Sequence, residues 1–203
     1  DGEDLSLRMD SNYPWSGNIK LFIHKIPVDV FNVGLRIPEW TNDYKIMVNN
    51  EKYNPKISPN GYAEINRQWK PGDNIDLQFE IKPYLIVGNP RVESITGKVA
   101  IGNGPLIYCI EASDQSFKTD LTDIMIDPDT DFEVTWSENT LEGVNIIMVD
   151  GKRMNDTDWE NSLYKKLTEK KSLITKDIKI KAIPYFTWAN REISPMKVWI
   201  PRS

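Results

Sequence analysis

The sequence predicts an all-β protein: two tandem antiparallel β-sandwich domains, the second jelly-roll-like. Three observations lead there. Short runs alternate apolar and polar residues at period two. Turn-forming Gly, Pro and Asn residues punctuate them. A proline-bounded break near the middle restarts the rhythm.

Ile19 to His24 alternates as a first strand, and Asn32 to Ile37 follows until Pro38 stops it. Tyr44 to Val48 ends at Asn49-Asn50, a pair that tolerates positive φ and so reads as a turn. Tyr62 to Asn66 is entered through Pro59-Asn60-Gly61. Trp69-Lys70-Pro71-Gly72-Asp73 is a turn, and Ile75 to Ile81 alternates strictly. Pro83 to Pro90 reads as a junction, which sets the domains at 1–87 and 88–203.

In the second half Lys98 to Ile101 is a strand and Gly102 to Pro105 a tight turn. Leu106 to Ile110 is apolar on both faces, as expected of a central buried strand. Asp120 to Asp131 is acidic and reads as a loop. Phe132 to Trp136 and Val144 to Val149 continue the sheet, the latter closed by Asp150-Gly151. Trp159, Leu163 and Leu167 recur at the four-residue spacing of a helical face. Strand chemistry returns after Ser172, and Met196 to Ile200 forms a closing strand.

Composition narrows the function. The 203 residues are 39% hydrophobic and 27% charged, ordinary for a globular protein, and no apolar run is long enough for a membrane span. A net charge of −5 argues against a nucleic-acid partner, which demands a basic patch. The acidic, polar start, DGEDLSLRMD, lacks the basic and apolar regions of a signal peptide and has no initiating Met, as in a mature form or a fragment. Cys109 is the only cysteine and His24 the only histidine. Disulfides within the chain and a thiolate zinc site are therefore excluded, and any His-based triad would have to use His24. On its strand pattern His24 reads as a partly exposed residue. Cys109, flanked by Tyr108 and Ile110, reads as a buried inert thiol.

Two kinds of candidate site remain. Paired carboxylates are the common glycosidase machinery, and Glu111 with Asp114, or the run Asp120, Asp123, Asp127, Asp129, Asp131, supplies carboxylates. The preferred readings are loop-capping acceptors for Glu111 and Asp114 and a solvated loop for the run, which lacks the glycine and terminal glutamate of a calcium-binding loop. The second kind is aromatic. Tyr13 and Trp15 flank Pro14, Trp40 follows a proline-stopped strand, and Tyr185 and Trp188 precede Asn190-Arg191. Such rings fill the seams between small domains, or take the C–H face of a sugar. Asn155-Asp156-Thr157 matches a glycosylation acceptor, read here as coincidence.

Several pieces then line up in order. They are Tyr13-Pro14-Trp15-Ser16-Gly17, Leu35-Arg36-Ile37-Pro38-Glu39-Trp40, Val48-Asn49-Asn50 and Trp69-Lys70-Pro71-Gly72-Asp73. The run Gly97 to Glu111 follows with Asp114 just after, and last Ile183 to Arg191 with Met196-Lys197-Val198-Trp199. The series resembles the C-terminal half of the β-L-arabinofuranosidase-type glycoside hydrolases, family 127 and its relatives. The resemblance implies a preceding (α/α)6 barrel that carries the catalysis through a cysteine nucleophile, a glutamate acid/base and a zinc. This sequence has no series of long amphipathic helices, and Cys109 lies within an apolar strand. No catalytic, metal or cofactor residue is therefore assigned to it.

The resemblance implies a bacterial accessory portion that buttresses the barrel in cis. Tyr13, Trp15, Trp40, Tyr185, Trp188, Asn190 and Arg191 are the candidate barrel-facing or sugar-contacting residues, and Glu111 and Asp114 a polar loop. A carbohydrate-binding module and a dimerisation unit are the alternatives, with a glycan or a second copy as partner. A periplasmic or secreted location is favoured over the cytoplasm.

Overall fold

The computed structural model describes residues 4–41, 43–116, 120–154, 163–164 and 175–203. It is all-β, and the chain divides into two compact units, Asp1–Lys82 and Pro83–Ser203. The division falls at Lys82/Pro83, not after residue 87, because Pro83–Val87 is itself a strand of the second unit.

The first unit holds β1 (Ser6–Ser11), β2 (Asn18–Lys25), β3 (Val30–Arg36), β4 (Tyr44–Val48), β5 (Glu51–Tyr53), β6 (Tyr62–Gln68) and β7 (Asn74–Phe79). One antiparallel sheet, in the order β1-β2-β7-β4-β5, faces the hairpin-like pair β3-β6. Period-two alternation decides the packing. Ile75, Leu77 and Phe79 of β7, Ile46 and Val48 of β4, and Ala63 and Ile65 of β6 point into one core with Leu35 and Trp69. The Trp69 ring is buried, and its indole N–H donates to the Phe31 carbonyl at 3.0 Å. That bond satisfies the one polar atom the ring takes out of water.

The Asn49-Asn50 turn forms as its chemistry requires. The two residues have φ of 54° and 66° and join β4 to β5. Asn49 also bridges to the next turn, donating Nδ2–H to Asp73 Oδ1 at 2.9 Å and accepting at Oδ1 from the Asn74 amide at 3.0 Å.

The second unit holds β8 (Pro83–Val87), β9 (Lys98–Asn103), β10 (Leu106–Glu111), β11 (Ile124–Ile126), β12 (Phe132–Ser137), β13 (Val144–Met154), β14 (Thr175–Pro184), β15 (Met196–Lys197) and β16 (Ile200–Pro201). The sheet runs β11-β13-β14-β10-β9-β16, with β12, β15 and β8 branching from it. It curls until its two ends meet, where Ile126 bridges Arg202 and the Ser203 amide donates to the Ile126 carbonyl at 2.9 Å. The curl wraps one core of Ile101, Tyr108, Ile110, Ile124, Ile147, Val149, Ile180 and their neighbours. The central position of β10, between β14 and β9, follows from its two apolar faces.

Three expectations change. The acidic stretch 120–131 is not simply a loop: Asp120 caps a 3-10 turn, and β11 follows with Ile124 and Ile126 fully buried between the aspartates. Asp150-Gly151 does not close β13, which continues to Met154 in register with β14. Gly151 is there for space, since a Cβ would lie 2.3 Å from Ile180 Cδ1 and 2.5 Å from the Met125 carbonyl oxygen. The closing strand is two short ones, β15 on β10 and β16 on β9. The helical reading across Trp159, Leu163 and Leu167 and the Asn155 acceptor fall on a stretch of which only residues 163 and 164 are described.

Candidate functional site

Four charged side chains converge where β10 ends. Glu111 is the last residue of that strand, and its side chain is 1% exposed. A 3-10 turn, Ala112–Asp114, then swings Asp114 and Gln115 back toward β14. The Gln115 amide stands in for a strand there. Its Nε2 donates to the carbonyls of Glu111 at 2.8 Å and Lys181 at 3.0 Å, and its Oε1 accepts from the Lys181 amide at 3.2 Å.

β14 ends at Pro184, and the chain turns through Tyr185–Thr187. Thr187 is buried and donates its hydroxyl to the Pro184 carbonyl at 2.6 Å. Ala189 takes a left-handed φ of 56°, and its amide donates to Glu111 Oε1 at 2.8 Å. The loop is then sewn back onto the end of β10. The Ser113 amide donates to Ser194 Oγ at 2.9 Å, the Ala112 amide to the Pro195 carbonyl at 2.9 Å, and β15 pairs with Ile110 and Glu111.

Arg191 occupies the centre. It donates Nη1–H to Asp114 Oδ1 at 2.7 Å and Nη2–H to Asp114 Oδ2 and to Glu111 Oε2, both at 2.5 Å. Lys181 Nζ donates to Asp114 Oδ1 at 2.8 Å. Two acids meet two bases, so the cluster is neutral, and every carboxylate oxygen accepts at least one hydrogen bond. Burial tends to raise the Asp114 carboxyl, but the hydrogen bonds and charges of Arg191 and Lys181 outweigh it and hold the group below the usual aspartate range. Asp114, above all, with lesser contributions from Glu111, pushes the Arg191 guanidinium above its ordinary value.

This chemistry opposes proton transfer at Asp114. A general acid needs a carboxyl raised toward neutrality, and Asp114 moves the other way. Cys109 is buried nearby, its thiol pushed up to about 12 by burial and then by the charges of Glu111 and Asp114. A thiol so protonated is neither a nucleophile nor a ready metal ligand. His24 is exposed on β2 beside the core residue Ile23.

The aromatic candidates separate between the units. Tyr13 and Trp40 pack over Phe79 in the first unit, with centroids at 6.5 and 5.6 Å. Trp15 is half-buried, its amide donating to the Asn12 carbonyl at 2.9 Å. Beside Phe79 lies an open depression of about 510 Å³ lined by Asp43, Tyr44, Lys45, Gln78, Glu80 and Ile81. In the second unit Tyr185 and Trp188 lie on the loop that Glu111 holds, with Asn190 and Arg191 following. Asp127, Asp129, Asp131, Asp150 and Asp177 surround a further open depression. Among the described residues, no three His, Cys, Asp or Glu side chains are grouped to hold a metal ion.

Sequence reasoning named Glu111, Asp114 and Arg191 but placed them in separate groups, and it missed Lys181 and Gln115. Lys181 sits in an ordinary alternating strand. Gln115 follows the turn without any motif, so neither carried a local signal.

The fold and this cluster define a class: a tandem β-sandwich protein whose convergent charges, among the described residues, are spent on holding a loop. Comparison with known proteins carries this further. Residues 83–201 match the glycoside hydrolase family 127 C-terminal domain, and residues 1–81 match the family described as beta-L-arabinofuranosidase, GH127 middle domain. The chain belongs to glycoside hydrolase family 127. It is 27% identical over 205 residues to a non-reducing end beta-L-arabinofuranosidase of Bifidobacterium longum subsp. longum, covering 96% of this chain and 30% of that protein. A GH127 β-L-arabinofuranosidase from Geobacillus stearothermophilus T6 superposes with a TM-score of 0.91 at 31% identity, over 100% of this chain and 31% of that one. Another GH127 β-arabinofuranosidase superposes with a TM-score of 0.83 at 30% identity, over 98% of this chain and 32% of that one. The chain thus spans about a third of the length of the relatives it matches.

Proposed function

We propose that these two units are the non-catalytic supporting portion of a bacterial glycoside hydrolase that acts on L-arabinofuranosides of plant glycans. They buttress a catalytic (α/α)6 barrel supplied by other polypeptide of the same protein. The observation that carries this reading is the correspondence of the chain to the middle and C-terminal domains of a family whose matched relatives it spans to only about a third of their length.

The chemistry of the residues agrees. Asp114 is paired and held anionic, and Glu111 spends both oxygens on the loop. The zinc that the family resemblance implies does not fit this chain, because Cys109 is the only cysteine and is buried and protonated. Any such ion belongs on the barrel. We also propose a periplasmic or secreted setting for the whole enzyme.

The test is an assay of the purified chain with an aryl β-L-arabinofuranoside. The expected release is that of buffer alone. Turnover abolished by Glu111→Gln or Asp114→Asn would overturn the proposal.

A further inference from the structure

The loop from Tyr185 to Pro195 presents apolar rings to solvent, with Tyr185 44%, Phe186 56% and Trp188 40% exposed. A slack loop would fold such rings down onto the sheet. This one is pinned at Thr187, at Ala189 and at Arg191, the last two by the buried Glu111. The Tyr185 and Trp188 rings lie within 18° of parallel, with centroids 6.5 Å apart. Polar groups follow on the same turn. Asn190 donates its amide N–H groups to the carbonyls of Phe186 and Trp188, which leaves its oxygen as an acceptor. Arg191 spends three of its N–H donors on carboxylates, and its side chain is 30% exposed. A guanidinium has about five such donors, so some remain.

A sugar ring has the complementary chemistry: an apolar C–H face and a rim of hydroxyls that both donate and accept. We propose that Tyr185 and Trp188 form a preorganised platform for a sugar ring, with Asn190 and Arg191 serving its hydroxyls. A purely apolar protein partner would not call for donors and acceptors on the same turn as the rings, nor for a buried carboxylate bonded to the Ala189 amide and Arg191 of that turn. That the sugar is an L-arabinofuranosyl unit rests on the proposed function; that the platform takes a sugar does not.

The test titrates the full chain with arabinofuranosyl oligosaccharides and, in parallel, with xylo- and cello-oligosaccharides, read by calorimetry and tryptophan fluorescence. Saturable binding is expected, weakened at least about tenfold by Trp188→Ala and by Tyr185→Ala and retained by Tyr185→Phe, at an unchanged circular dichroism spectrum. Absence of saturable binding to all three sugars up to about 10 mM would overturn the proposal. So would binding indifferent to Trp188→Ala. Binding of the xylo- or cello-series alone supports the platform and removes the arabinofuranoside assignment instead.

Discussion

Arg191 grips Asp114 across 77 residues of sequence through two hydrogen bonds, Nη1–H to Oδ1 at 2.7 Å and Nη2–H to Oδ2 at 2.5 Å. The planar fork of the guanidinium matches the carboxylate edge, and the Asp114 side chain is 4% exposed, so water competes little for the carboxylate. Through Glu111 the same guanidinium fixes the loop that follows β14.

Removing that guanidinium leaves two buried carboxylates facing each other with Lys181 alone. Arg191→Ala is expected to lose roughly 3–5 kcal/mol of stability, measured by urea denaturation. Arg191→Lys should recover only part of the loss, because a single ammonium cannot make the two-pronged contact. Equal stability of Arg191→Lys and the native protein would show that geometry counts for nothing here.

The pH dependence has a definite sign. Asp114 is held below the ordinary aspartate value of 3.8, so its pairing contributes fully above that value. As pH falls below it, the unfolded chain takes up the proton first and stability declines until the folded carboxyl also protonates. Unfolding free energy measured from about pH 6 to 2 should therefore fall less steeply in Asp114→Asn than in the native chain.

Cys109 should be silent in the folded state. With its thiol at about 12, roughly one molecule in 10,000 carries a thiolate at pH 8. A thiol-reactive chromophore should label one equivalent only once denaturant unfolds the second unit. Rapid labelling of the native chain would contradict the buried setting of β10.

Two glycines test whether space or backbone angle matters. A Cβ at Gly17 would lie 1.9 Å from the Phe79 carbonyl oxygen, a backbone atom that cannot step aside. Gly97 has a φ of 73° and open space around it. Gly17→Ala should cost more than about 2 kcal/mol, and Gly97→Ala about 1. Thermal denaturation of the two variants compares them directly.

Much of the fold was legible because its signals are local. Alternation at Ile75, Leu77 and Phe79 defines both a strand and its inward face, and Asn49-Asn50 specifies its turn by the angles those residues accept. The strands that escaped notice, β1, β5, β8 and β11, are short, exposed or set among prolines and aspartates. β5 and β11 have three residues each, too few for a period to stand out, while β1 is exposed at every position and β8 is half-buried at four successive ones, so neither alternates.

By itself, then, the sequence determined an all-β chain in two units, the burial of Cys109 and the family series of motifs. Only the tertiary structure decided that Glu111, Asp114, Lys181 and Arg191 form one cluster, and that the Tyr185 and Trp188 rings lie within 18° of parallel. The reason is physical. Periodicity and turn preference act between neighbours along the chain. The cluster joins residues 67 to 80 positions apart, brought together by the curling of one sheet and the return of β15 onto β10.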